Sequence, residues 1–248
     1  LLEYGRLPNV NRYMDRLAHN RMMRWILAVC LVLGAVGCAK LPGTGVGAGG
    51  TRLIFKLTVA REINPNYIYM VALRPSNDPN PPEQGPIPVI APPWGNGFVA
   101  GTCSHFVQWA NSLPRKYELF AFRDANLVEY RSIGNPVIFV DVAPGDKVIQ
   151  FELELTQLVA APADADLLES LQFNFFSMDR IPVGLTGSKN WDALGDGRLP
   201  SEVNFPITIP LRTSGTYDNA RFANREPNGD VADPDLDIVD WSVEIQRR

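Results

Sequence analysis

Apolar and polar residues alternate with a period of two in segment after segment of this chain. Leu53, Phe55, Leu57 and Val59 share one face, with Arg52, Lys56 and Thr58 opposite. Tyr67, Tyr69, Val71 and Leu73 make a second apolar face, KYELFAFR (116–123) a third and NPVIFVDV (135–142) a fourth. The clearest case is KVIQFELELTQL, where Ile149, Phe151, Leu153 and Leu155 oppose Gln150, Glu152 and Glu154. Near the C-terminal end, Val239, Trp241, Val243 and Ile245 alternate with Asp240, Ser242, Glu244 and Gln246. Such alternation predicts strands with one face against a core and the other in water. Between them stand turn signals: Asn64-Pro65-Asn66, Gly134-Asn135-Pro136, Ala143-Pro144-Gly145-Asp146 and Asp196-Gly197. The pattern predicts an all-β fold, one antiparallel β-sandwich over residues 52–248 with about eight or nine strands. Phe98 to Trp109 reads mainly as strand. Helix is expected at most once, as a short piece at Asp164–Leu171.

Three stretches break the alternation and form the long Pro/Gly/Asp-rich loops. Residues 75–93 hold eight prolines, which bars a central strand because proline has no N–H for the ladder. This stretch reads as a stiff strap across the sheet, with a ligand or partner surface as the functional alternative. It ends in the knuckle Pro92-Pro93-Trp94-Gly95. The second loop region, 181–203, carries Trp191 and Asp192, and the third spans 213–235.

The N-terminal part follows a different pattern. Trp25 to Val36 is an apolar run of 12 residues, too short for a bilayer, which takes about 20. Arg16, Arg21 and Arg24 precede it, and small residues follow. This is the layout of a secretory signal peptide over 22–37, after an upstream n-region in 1–21. Met14 is the better start because it brings Arg16 and Arg21 along. The run ends in Ala35-Val36-Gly37-Cys38, which resembles the lipobox of bacterial lipoproteins, although that family prefers Leu where Ala35 stands. The resemblance implies cleavage before Cys38, a diacylglycerol on its thiol and palmitate on the new N-terminus. Because Ala39 rather than Asp follows, it also implies delivery to the outer membrane in a Gram-negative cell. Ordinary secretion, with Cys38 unmodified, is the alternative. Residues 38–51 are glycine-rich and read as a flexible tether.

Charge and cysteine count narrow the function classes. Residues 38–248 carry 18 basic and 25 acidic side chains, a net charge of −7. No basic cluster offers a footprint for nucleic acid, and none offers a polybasic patch for lipid, so membrane attachment rests on the acyl chains. With Cys30 removed and Cys38 acylated, Cys103 lacks a partner and is expected as a small buried residue; an unlipidated Cys38 would permit a Cys38–Cys103 bridge.

Catalytic signals are weak. Gly45-Val46-Gly47-Ala48-Gly49-Gly50 matches the dinucleotide fingerprint formally, but a cleavage site precedes it and a strand follows. His105 is the one histidine after the leader, and Ser104 is expected on the opposite strand face. One histidine and one cysteine do not make a zinc site. The 25 acidic residues offer no singled-out pair for glycoside hydrolysis.

The acidic tail EPNGDVADPDLDIVDWSVE places Asp233, Asp235, Asp237 and Glu244 at positions one, three, five and twelve of a calcium loop. Ile238 holds the position that needs glycine, which rejects a calcium hand. A looser oxygen cage from Glu226, Asn228, Asp230, Asp233 and Asp235 stays open, with Asp230, Asp233 and Asp235 as the metal candidates and structural calcium as the ion. Most aromatic residues are expected in the core; Trp94 and Trp191, in loops, are the ligand-binding candidates.

The leading expectation is an envelope-anchored, non-enzymatic structural or binding module whose partner is an envelope protein or glycan. A carbohydrate-binding or glycan-processing domain and a calcium-braced adhesive module are the alternatives.

Overall fold

The computed structural model describes residues 50–247 except 83, 183, 185, 186, 200, 223 and 224. The fold is all-β, antiparallel and sandwich-like, as the alternation predicts. Among the described residues no helix is long and apolar enough to cross a membrane. One sheet is ordered β13–β14–β1–β9–β8, formed by Gly215–Asp218 (β13), Ile238–Gln246 (β14), Arg52–Val59 (β1), Val148–Glu154 (β9) and Ile138–Phe139 (β8). The other runs β11–β10–β2–β5–β6–β7. Its strands are Trp191–Ala193 (β11), Ser170–Met178 (β10), Ile68–Ser76 (β2), His105–Trp109 (β5), Tyr117–Phe122 (β6) and Tyr130–Gly134 (β7), and Ile207–Pro210 (β12) shares the outer edge of β10 with β11.

The main core lies between these sheets. Leu53, Phe55 and Leu57 of β1, Phe151 and Leu153 of β9, and Trp241 and Val243 of β14 face Tyr69, Val71, Leu73, Phe173 and Phe175 of the opposite sheet. Phe55 pairs in register with Phe151 on one side and Val243 on the other. The β1–β14 ladder slips between Thr58 and Val59, which pairs with Ile238. Val239 is thereby the extra residue, so Ile238 and Trp241 are both fully buried.

A second apolar cluster covers the far face of the β10-containing sheet. Met70, Ala72, Phe106, Phe176 and Met178 meet Phe98, Val99 and Leu127 there. The proline-rich stretch is the strap over this face from residue 77 on. Pro75 and Ser76, expected outside any central strand, end β2. They pair with Leu171 and Ser170 beyond the reach of β5, so the missing proline N–H costs no ladder bond there. Pro86–Pro88 (β3) pairs with Val99–Gly101 (β4), and β10 holds the strap through polar side chains: Gln172 Nε2 donates to the Pro82 carbonyl at 3.3 Å and Asn174 Nδ2 to that of Pro86 at 3.3 Å.

Buried on both faces, β10 shows no alternation: SLQFNFFSM is buried at every position. The two-turn helix expected at Asp164–Leu171 is a 3₁₀ segment, Pro162–Leu167, and Ser170 and Leu171 already belong to β10. Their strand state is set by pairing with Ser76 and Pro75 on one side and Pro210 and Ile209 on the other, tertiary contacts that outweigh local helix propensity. Strands of two or three residues, such as β3, β4, β8 and β11, raise the strand total among the described residues to fourteen.

Candidate functional site

β11 and the segments between β13 and β14 gather four carboxyl groups. Asp192 sits in the middle of β11, fixed by pairing with Ser177. Its Oδ1 accepts from the Ala193 N–H at 2.8 Å and its Oδ2 from the Ile238 N–H at 2.7 Å, which ties β11 to the start of β14. Glu226 is clamped through its backbone: Asn219 Nδ2 donates to the Glu226 carbonyl at 3.0 Å, and the Glu226 N–H donates to Asn219 Oδ1 at 2.9 Å. The Glu226 Oε2 accepts from the Gly195 N–H at 3.1 Å, and Asp230 Oδ2 accepts from the Gly197 N–H at 2.6 Å. Gly195 has φ +128°, and a Cβ there would lie 2.5 Å from the Glu202 carbonyl oxygen, so this approach requires glycine. Asp237 accepts from the Gly229 N–H and borders Asp230.

Asp192, Glu226 and Asp230 each bring a carboxylate oxygen to within 4.8 Å of the others. Asp192 is 1% exposed and Glu226 2%. Glu226 Oε1 and Asp230 Oδ1 are buried without a hydrogen-bond partner. The neighbouring arginines are engaged elsewhere, Arg198 with Asp196 and Arg61 with Asp235. Burial, reinforced by the Asp230 and Asp237 charges, lifts Asp192 well above the carboxylate range. Glu226 is pushed up to about 12 by burial and then by Asp192 and Asp230. Burial and the Asp237 carboxyl raise Asp230 to about 6 against the opposing Gly197 hydrogen bond. Three close oxygen donors of this kind can hold a hard cation or share protons.

The other two metal candidates are engaged outside this cluster. Tyr67 donates its hydroxyl to Asp233 Oδ2 at 2.7 Å. Asp235 accepts both Arg61 Nε and Nη2 at 2.8 Å, and Asn64 Nδ2 at 3.1 Å. The Arg61 hydrogen bonds hold the Asp235 carboxyl below its ordinary value. Asn228 is exposed. The structure therefore joins Asp230 and Glu226 to Asp192, a residue sequence spacing had left out.

The two tryptophan candidates meet around Lys189. Its Nζ lies 5.6 Å from the Trp94 ring centroid and 5.8 Å from that of Trp191, and donates to the Gly97 carbonyl at 2.8 Å. Burial lowers the Lys189 ammonium to about 8. Trp94 is 7% exposed, so it serves as a wall behind the lysine. Trp191 is half-buried and lines an open groove of about 550 Å³ with Arg61, Asn190, Val231 and Asp233.

Ser104 corrects the expectation that it points away from His105. It occupies the bend before β5, where strand alternation does not hold, and its Oγ is 2.8 Å from His105 Nδ1. Burial lowers the imidazole to about 4. Cys103 is buried and its thiol donates to the Leu73 and His105 carbonyls, with burial raising it to about 12. Cys38, the expected lipidation point, and the tether up to residue 49 lie outside the described residues.

Comparison of the chain with protein-family models, curated proteins and solved structures yields no match.

Proposed function

We propose that the protein is a bacterial envelope lipoprotein, anchored through a diacylglycerol on Cys38, whose β-sandwich is a non-enzymatic structural or binding module. The observation that carries this reading is an order along the chain: arginines, a 12-residue apolar run, Ala35-Val36-Gly37-Cys38, a glycine-rich tether, and then a sandwich starting at Arg52. The surroundings of His105 and Cys103 favour a non-enzymatic role, since an imidazole lowered to about 4 is a weak base at neutral pH and a thiol raised to about 12 holds little thiolate.

Intact-mass measurement of the membrane fraction tests the anchor. The mature chain is expected to start at Cys38 and to carry the diacylglycerol and an amide-linked acyl chain, whereas Cys38→Ser leaves an unmodified chain. Wild-type protein recovered soluble with a free thiol at Cys38 would remove the reading.

A second reading, recognition of a glycan, is favoured by the groove beside Trp191. It sets one half-exposed indole among Arg61, Asn190 and Asp233, and sugar recognition uses an apolar stacking face ringed by polar groups. In a pull-down against a panel of bacterial polysaccharides, Trp191→Ala is expected to weaken retention at least about 10-fold, the effect of losing roughly 1.4 kcal/mol of stacking. Retention that survives the substitution unchanged rejects this reading.

A further inference from the structure

We infer that Asp192, Glu226 and Asp230 form a binding site for a hard divalent cation, calcium, set between β11 and the segments preceding β14, behind the Trp191 groove. The inference stands independently of the lipid anchor.

The three carboxyl groups come from separate parts of the chain: β11, the segment clamped by Asn219, and the loop preceding β14. Asp192 accepts one backbone N–H on each oxygen, from Ala193 and Ile238, while Glu226 and Asp230 each have one oxygen held, by the Gly195 and Gly197 N–H groups. That leaves Glu226 Oε1 and Asp230 Oδ1, both buried and without a hydrogen bond. Buried polar atoms are ordinarily paired, and an unpaired carboxylate oxygen is among the costliest exceptions. Glu226 is 2% exposed and cannot turn that oxygen to solvent. Asp237 adds a fourth carboxyl against Asp230, and the nearby Arg198 is taken by Asp196. An oxygen-only cluster with spare donors inside 4.8 Å matches the demand of a divalent cation.

The donor chemistry selects the ion. Carboxylates without imidazole or thiolate disfavour zinc and copper and suit calcium or magnesium. Magnesium requires a near-ideal octahedron, keeps several waters, and uses one or two protein carboxylates; calcium accepts three or more in irregular geometry. Three carboxyl groups converging from separate segments of the chain fit the second description.

The site also braces the groove. Trp191 and Val231 line it, and each is the chain neighbour of a ligand, Asp192 and Asp230. Calcium bound here ties β11, which carries Trp191, to the loop that carries Val231.

The test uses the purified full chain at pH 7.5, stripped with EDTA and then dialysed. Native mass spectrometry is expected to find one calcium per chain. With 1 mM CaCl₂ the melting temperature is expected to rise by about 5–10 °C, as a hundredfold excess over the dissociation constant gives for a domain of this size. Glu226→Gln and Asp230→Asn are each expected to abolish stoichiometric calcium and the shift. Asp230 is half-buried, so its variant decides the matter should Glu226→Gln fail to fold. No bound calcium in the wild type, or an undiminished shift in the folded variants, overturns the site. An equal shift with 1 mM MgCl₂ overturns the choice of calcium.

Discussion

Phe55→Ala is expected to lower the free energy of unfolding by about 4 kcal/mol, within the range for a phenyl removed from a closed core. Phe55 is fully buried at the middle of β1. Its ring stacks on Phe151 at a centroid distance of 5.2 Å and meets Phe173 and Phe175 edge-on at 6.5 and 6.4 Å. One side chain thus ties three strands across both sheets, and the aromatic pairs add to the transfer term. The cavity has little chance to close, because its walls are strands fixed by ladders. Urea denaturation is the measurement: the midpoint falls while the slope stays constant. Val128→Ala, at a side chain 65% exposed, serves as control and is expected within about 0.5 kcal/mol of wild type. A loss from Phe55→Ala as small as the control's would contradict the sandwich core.

The second large effect concerns pH in the presence of chelator. Asp192, Glu226 and Asp230 have folded-state affinities for protons above those of the unfolded chain. Between the ordinary carboxylate value and the raised one, the folded state holds more protons, so stability falls as pH rises. Each carboxyl that stays protonated only in the fold contributes a slope of about 1.4 kcal/mol per pH unit. Two other groups act with the opposite sign. His105, lowered to about 4, makes stability rise with pH between about 4 and 6.5, and Lys189, lowered to about 8, does so above 8. The window from pH 6.5 to 8 isolates the carboxyl cluster. There the unfolding free energy in EDTA is expected to drop by at least about 2 kcal/mol, the amount one such group produces over that span. Glu226→Gln removes about 1.4 kcal/mol per pH unit of that slope, because the amide does not titrate. A flat wild-type profile over this window would mean that these carboxyls ionise freely in the folded protein.

How far the fold can be read from the chain depends on how many faces of a strand are buried. In β1, β9 and β14 one face meets the core and the other water, so the residues alternate and the strands stand out. In β10 both faces are covered, one by the opposite sheet and one by the proline strap, and Gln172 and Asn174 are buried because they hold that strap. Apolar residues on both sides erase the period. Local composition misleads at Asp164–Leu171 for a related reason. Alternating acids and leucines suit a helix in isolation, but Ser170 and Leu171 are claimed by ladders on two sides.

The site divides in a similar way. Glu226 and Asp230 fall within an acidic tail that any reading of oxygen ligands would single out. Asp192 lies 34 positions before Glu226 and shows no spacing relation to it. Only the pairing of β11 with β10, and of the Asp192 carboxylate with the Ile238 N–H, carries it there. Asp233 and Asp235 look equivalent to Asp230 along the chain. They differ because Tyr67, Asn64 and Arg61, all near the start of the domain, fold back onto them.

By itself the sequence determined the strand-forming alternation, the proline-rich break that follows β2, the acidic balance of residues 38–248 and the concentration of acid between Glu226 and Asp237. These follow from composition and from periods of a few residues. The tertiary structure decided which strands are buried on both faces, which tryptophan is a wall and which lines a groove, and which three carboxylates converge. Those outcomes depend on contacts between residues tens to more than a hundred positions apart. Sheet pairing specifies such contacts through the geometry of ladders, and no local pattern encodes them.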